Sequence, residues 1–229
     1  MIEDPPLLTI RRRIPRPDPA KLATLTGVQT GNLVDAMDGR GALDYAIKPV
    51  DPKRAAFVGP ALTCEPGPSD NLAILAAIAL AEPGDVIVAA GDGFTGTAIV
   101  GDNMAAMARN RKVVAIVADG LVRDSAGVVG VGLPMFARGI TPNSCVKSGP
   151  GRIGLPVVAG GVSVESGDIV VGDLDGVVVI PRAQLDAVLD RLAAVRRAEA
   201  AFQEKIARGL DCPEAVRALL GSDRVRYVD

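Results

Sequence analysis

The chain has 229 residues, 48% of them hydrophobic, and a formal net charge of −2. That length fits one domain, or one domain with a helical tail, and the apolar content supports a core without disulfides. The near-balanced charge, 3% aromatic content and lack of Trp argue against a nucleic-acid surface, and the lack of histidine excludes Ser–His and Cys–His catalysis and His-ligated zinc or iron.

Three cysteines, Cys64, Cys145 and Cys212, stand far apart and are odd in number. They point to a reducing compartment, hence a cytoplasmic location, and cannot build a Cys₄ zinc site. Each reads as a small buried residue. Any metal must therefore take oxygen ligands, which leaves Mg²⁺, Mn²⁺ or Ca²⁺. The N-terminus is acidic and Pro-rich, unlike a secretory signal. The most apolar run, Leu72 to Ala81, is too short to cross a bilayer, so no membrane partner is expected.

Residues 1–19 are rich in proline and carry Arg11, Arg12 and Arg13. They read as an extended N-terminal arm laid over a neighbouring subunit. Asp18-Pro19 starts a helix, Ala20 to Leu25. A second helix, Thr30 to Met37, ends in the turn Asp38-Gly39-Arg40-Gly41, where Asp35 and Asp38 either face a site or lie at a solvated helix end. Ile47 to Val50 and Ala56 to Cys64 read as strands, with Gly59-Pro60 marking an edge or bulge. Asp70 is placed to cap an Ala-rich helix, Asn71 to Ala81.

The phrase Glu82-Pro-Gly-Asp85 recurs as Glu165-Ser-Gly-Asp168, each time feeding a β-branched run. Two equivalent turn-and-strand corners are predicted. Val86 to Ala90 is a strand, and Gly91 to Gly96 a Gly-rich loop. That loop lacks the Lys-Ser/Thr ending of a P-loop and the GxGxxG register, so it suits close backbone approach to a small ligand better than a nucleotide.

The stretch Gly101 to Asp124 organises the chain. Asp102 opens a helix whose Met104, Met107 and Ala108 share one face. Val113 to Ala118 is a buried strand, followed by an Asp119-Gly120 turn and then Arg123-Asp124. If the strands at 86 and 113 are parallel, the crossover helix starts at the sheet edge where both strands end. Asp102, the free amides of Gly101, Asn103 and Met104, Arg123 and Asp124 then gather where α/β sheets bind ligands. Helix-start amides suit an anion, Arg123 can fork onto a carboxylate, and two carboxylates can hold a hard cation. The same residues also serve as an ordinary helix cap and a surface charge.

Leu133 to Ala137 is a further strand. Lys147 ends a short segment, either as a surface charge or as an anchor for a substrate carboxylate. Pro156 to Val158 and Val177 to Ile180 are strands, with Asp173 to Gly176 a turn. From Pro181 a long helix begins, with Leu185, Val188, Leu189, Leu192 and Val195 in one stripe. It should run past Glu199 towards Ile206, stop near Gly209 and make a subunit contact. A last short helix spans Asp211 to Leu220. The division is thus an arm at 1–19, one α/β domain at 20–180 and a helical segment at 181–229.

Asp102, twenty residues, Arg123-Asp124 and then Gly127 resembles the Asp-x20-Arg-Asp signature of the RraA-like superfamily. The Asp-Gly-Arg-Gly turn at 38–41, Thr63-Cys64-Glu65 and the Asp-Gly-Val-Val-Val strand at 175–179 extend the likeness; DAMDGR is one residue longer than the family's usual acidic helix end. The resemblance implies a β/β/α swivelling-domain-like layered fold with a long C-terminal helix, assembled as trimers or hexamers with sites between subunits. It implies a Mg²⁺- or Mn²⁺-dependent class II pyruvate aldolase. Its substrates would be 4-hydroxy-4-methyl-2-oxoglutarate and 4-carboxy-4-hydroxy-2-oxoadipate, with oxaloacetate decarboxylation as a second activity. It further implies that Asp124 ligates the metal directly. Asp102 and an adjacent subunit's Glu199 would do so through water. Arg123 would take the 2-oxo acid and its enolate, the amides of Gly101 to Met104 a carboxylate, and Lys147 the distal carboxylate. The same fold also hosts non-catalytic regulators that bind an RNA-degrading endonuclease, which is the alternative reading.

Overall fold

The two Glu-x-Gly-Asp corners are the same turn built twice. The computed structural model describes residues 6–228, so residues 1–5 of the expected arm and residue 229 of the helical segment lie outside it. In the first corner the Asp85 carboxylate accepts from the Glu82 amide at 2.9 Å, and in the second Asp168 accepts from the Glu165 amide at 2.9 Å. Gly84 and Gly167 take φ of 93° and 94°, a conformation that penalises a Cβ. Each corner launches a strand, β4 (Val86–Val100) and β10 (Ile169–Gly172), and both pair with β3 (Phe57–Glu65).

Strand β3 is central because it changes partner along its length. Residues Phe57 to Pro60 pair antiparallel with β10, and Ala61 to Cys64 pair parallel with β4. Pro60 has no N–H and falls at the handover. Gly59-Pro60 is therefore buried inside the sheet rather than at an edge. A Cβ on Gly59 would run into the Gly84 carbonyl oxygen, so the glycine serves close approach of the first corner.

Parallel β3, β4, β5 (Ala115–Val122) and β6 (Met135–Ile140) form the middle of the main sheet. They are joined by α3 (Leu72–Leu80), α4 (Asp102–Asn110) and α5 (Ser125–Val131). Short strands extend it: β2 (Lys48–Pro49) beyond β6, and β7 (Gly151–Ile153) then β1 (Leu8–Ile10) beyond β3. In the described part of the N-terminal arm, β1 joins the main sheet of the same chain and Arg16 is bonded to Asp85. The backbone ladder to β7 supplies partners that a free arm would lack.

Side-chain alternation sorts the layers. On β4, Ile87 and Ala89 face the three crossover helices, meeting Ile74, Ala77, Ala105 and Ala108. Val86, Val88 and Ala90 face the other way, onto the hairpin β8 (Val157–Ala159) and β9 (Val162–Val164). A third cluster packs α2 (Thr30–Ala36) and α6 (Leu185–Ala207) against β10 and β11 (Val177–Ile180). Helix α1 (Pro19–Ala23) begins with the Asp18 carboxylate accepting the Ala20 amide, and α7 (Glu214–Leu220) closes the chain. The whole is a layered α/β fold with a long C-terminal helix.

Two local expectations fail for tertiary reasons. The Gly91–Gly96 segment lies within β4, although its pairing with β5 shifts register between Ala89, Phe94 and Ala98. Asp119-Gly120 is no turn but continues β5. Asp119 is buried because Arg138 Nε donates to it at 2.5 Å and the Gly160 amide at 2.7 Å. Arg138 also donates to Asp44 at 2.9 Å.

Arg138→Ala should therefore cost about 3 kcal/mol by leaving Asp119 buried and under-paired. Thermal unfolding of the variant checks this, with a midpoint drop of roughly 6–12 °C expected for a chain of this size. Asp44 is held below the ordinary carboxylate range, first by the Ala46 amide and then by Arg138. Its stabilisation is present above the unfolded-state pKa and is lost as pH falls through the depressed folded value. Arg138→Ala should accordingly flatten part of the wild type's stability loss in acid.

Candidate active site

The crossover α4 brings the ends of β4 and β5 to one sheet edge. The Arg123 amide donates to the Val100 carbonyl at 3.0 Å, pinning the two strand ends together. Gly101 then turns the chain into α4, and Asp124 turns it into α5. Asp124 does so at φ 55° and ψ 42°, the left-handed region that Asp and Asn tolerate better than most residues. Its carbonyl accepts the Val128 amide at 2.9 Å, so the strained turn is anchored by the helix it starts.

Two glycines set the spacing. A Cβ on Gly127 would collide with the Asp102 carboxylate and lie 2.7 Å from the Asp102 Cβ. A Cβ on Gly101 would sit 3.0 Å from Asp124 Oδ2 and 3.3 Å from Arg123 Cγ. The starts of α4 and α5 are therefore nested, with Asp102 and Asp124 on the same opening. Gly127→Ala should displace Asp102 and open this nest. Thermal unfolding should show the overpacking as a loss of about 1–3 kcal/mol, while circular dichroism should report an intact fold.

Asp102 Oδ1 accepts the Asn103 amide at 2.6 Å, so one amide of the helix start is already engaged. Arg123 Nε sits 3.0 Å from Asp124 Oδ2, and its Nη1 donates to the Ser144 hydroxyl. Both side chains of that pair remain about two-fifths exposed, so neither is locked away from a ligand. Arg123, Asp124, Gly101, Asp102, Asn103, Met104 and Lys147 all line one cleft of about 280 Å³. It offers two cations and two anions in a small volume. A roomier cavity of about 740 Å³ opens beside Glu65 and Arg152, which pair with one another, and holds none of these groups.

Other expected residues lie elsewhere in the chain. Glu199 is on α6, where it accepts from Asn32 Nδ2 at 2.8 Å and from Gln203 at 3.2 Å. It does not line the cleft of its own chain. Asp38 pairs with Arg191 at 2.7 Å beside a different cavity, and Asp35 is exposed on α2. Among the described residues no group of three or more His, Cys, Asp or Glu side chains is placed to hold a metal by itself. Asp102 and Asp124 offer two hard carboxylates. Such a pair fits a small divalent cation that keeps several waters and takes further oxygens from its substrate.

Sequence reasoning missed Asn71, Ser144 and Cys145 as lining residues of the cleft. Burial pushes the Cys145 thiol up, consistent with a packing role. Burial also pushes Cys64 well above the ordinary range. For Asn71 a signal was present: Asp70 and Asn71 are two cap-type residues in a row, and one suffices. Asp70 takes the task, accepting the Leu72 amide at 2.8 Å and the Gly149 amide at 2.9 Å.

Residues 30–179 match the protein family described as RraA-like: Aldolase/RraA, a span that contains every residue lining the cleft. A Halalkalibacterium halodurans protein named "Putative 4-hydroxy-4-methyl-2-oxoglutarate aldolase" is 38% identical over 193 residues, which cover 84% of this chain and 90% of that one. Among solved structures, Streptomyces coelicolor RraAS2, described as an unusual member of the RNase ES inhibitor RraA protein family, aligns with a TM-score of 0.74 and 27% identity over 83% of this chain and all of its own. The RNA-processing inhibitor RraA from Thermus thermophilis aligns with a TM-score of 0.62 and 28% identity, covering 67% of this chain and 93% of that one. No helix among the described residues is long and apolar enough to cross a membrane.

Proposed function

The chain belongs to the RraA-like family, and from that premise we propose that it is a divalent-metal-dependent carbon–carbon lyase. It cleaves a 4-hydroxy-2-oxo dicarboxylic or tricarboxylic acid to pyruvate and a second 2-oxo acid or aldehyde. The observation that carries this reading is the convergence of Asp102, Asp124, Arg123 and Lys147 on one cleft at the ends of β4 and β5. Carboxylates there suit a cation, and the two basic groups suit the two ends of a dianionic substrate.

Mg²⁺ or Mn²⁺ held by Asp124, and by Asp102 through water, would supply a Lewis acid for the 2-oxo acid's oxygens. Glu199 of a neighbouring copy would complete that shell through water, in a trimer or hexamer. The exposed Phe202, Ile206, Leu219 and Leu220 on α6 and α7 support self-association, since such apolar faces call for cover. In the reaction the C4 hydroxyl loses its proton, the C3–C4 bond breaks, and its electron pair becomes the pyruvate enolate. Arg123 is placed to hold that enolate oxygen, a role worth on the order of 3 kcal/mol. The chain has no histidine, and in this reading the proton leaves through a carboxylate or water. Decarboxylation of oxaloacetate passes through the same enolate and is expected as a side activity.

Pyruvate release from 4-hydroxy-4-methyl-2-oxoglutarate and from oxaloacetate tests the reading. Chelator-treated protein should be inactive, and Mg²⁺ or Mn²⁺ should restore both activities. The second reading is a non-catalytic regulator that binds an endoribonuclease, favoured by the RraA descriptions of two structural relatives. No turnover of either acid in any metal, together with a stable endoribonuclease complex, would decide for it.

A further inference from the structure

Asn71 occupies the N-cap position of α3 but makes no cap bond with its side chain. The residue lines the cleft, and its Nδ2 reaches the Sδ of Met104, another lining residue, at 3.5 Å. It is 8% exposed, and its Oδ1 is the one buried side-chain polar atom without a hydrogen-bond partner among the described residues. Thioether sulfur is a weak acceptor, so neither end of this amide has a strong partner. An orphaned buried amide costs free energy. Asp70 already does the capping, so helix formation gives no reason for the amide to be there.

The cleft's charged groups already have roles in the function proposed above, the two carboxylates towards the cation and the two basic groups towards the substrate's anionic ends. Arg123 and Lys147 donate, Asp102 takes the Asn103 amide, and Asp124 faces Arg123. The buried acceptor left without a partner is neutral, Asn71 Oδ1. An ionised 4-hydroxy-2-oxo acid carries many acceptors but a single donor, its C4 hydroxyl. Oxaloacetate in its keto form carries none. Resting on the function proposed above, we propose that Asn71 is a specificity-determining residue whose amide oxygen accepts the substrate's C4 hydroxyl on binding, before that hydroxyl turns to the carboxylate or water that takes its proton. Rotation about χ2 is soft for Asn, so the amide can turn its oxygen to the ligand without moving α3. A site built to bond a hydroxyl discriminates strongly against molecules that lack one, because its polar group is then left unpaired.

The test compares wild type with Asn71→Leu, which is close in size but has no acceptor, and with Asn71→Ala should leucine not be accommodated. Thermal unfolding establishes that the variant is folded. Pyruvate release is followed from 4-hydroxy-2-oxoglutarate and from oxaloacetate with Mg²⁺. The ratio of the two kcat/KM values should shift against the hydroxy acid by about tenfold or more. Asn71→Ser, which restores a hydroxyl acceptor, should recover part of that ratio. An unchanged ratio overturns the proposal. If wild type turns over neither acid, the lyase reading fails on its own, and calorimetry of 4-hydroxy-2-oxoglutarate against 2-oxoglutarate then decides. A preference for the hydroxy acid in wild type that Asn71→Leu loses supports the role of Asn71. Equal affinities in wild type, or no binding of either compound, overturn it.

Discussion

Asp124→Asn is expected to lower metal-dependent pyruvate release by at least about a thousandfold, because Lewis-acid stabilisation of this kind is worth several kcal/mol. Asparagine keeps the side chain's shape and tolerates the left-handed backbone at position 124. The fold should therefore persist, with an unfolding midpoint close to that of the wild type. The lost Arg123–Asp124 pair is exposed and contributes little. The charge, however, is gone, and a neutral amide is a poor ligand for a hard cation. Calorimetric or paramagnetic titration with Mn²⁺ should show a weaker affinity by tenfold or more. Tight Mn²⁺ binding with full turnover in Asp124→Asn would remove Asp124 from the metal site.

Arg123→Ala is expected to reduce kcat by about 10²–10³-fold, the range for losing one fixed donor to a developing oxyanion. The guanidinium is held from two sides, by Asp124 and by Ser144, so its position does not depend on substrate. In the proposed reaction such preorganisation would make it effective in the transition state. Its loss should fall on kcat more than on KM, because the enolate charge exists only after bond breaking begins. Arg123→Lys should recover little, since a lysine cannot keep both anchors and still present a planar fork. Stability should change by less than about 1 kcal/mol, as Arg123 is partly exposed and its ion pair is solvated. A folded variant that keeps its kcat would remove the Arg123 guanidinium from the reaction.

The crossover unit was legible because its parts carry local signals. The Val86 and Ala115 strands are runs of apolar, largely β-branched residues, and the helix between them shows one apolar face. Parallel pairing then follows from the single crossover, and with it the gathering of Asp102, Arg123 and Asp124 at one edge. The repeated Glu-x-Gly-Asp corners were also readable, since a carboxylate three residues on from an amide can close a turn by itself. Strands β1, β7 and β9 have three residues each, too few to show a period, and exist because neighbours complete their ladders. Asp119-Gly120 carries strong turn chemistry that Arg138 and the Gly160 amide override.

Local chemistry by itself determined that two buried strands flank a helix and that Asp102 starts that helix, because apolar periodicity and turn preference are properties of neighbours in the chain; it did not determine where the strands end. Only the tertiary structure decided how close the strand ends approach, why position 127 must lack a Cβ, and that Asn71 lines the cleft with a buried, unpaired oxygen. Each of those depends on atoms brought together from distant segments. Van der Waals exclusion and unmet hydrogen bonds act through space, and no spacing along the chain encodes them.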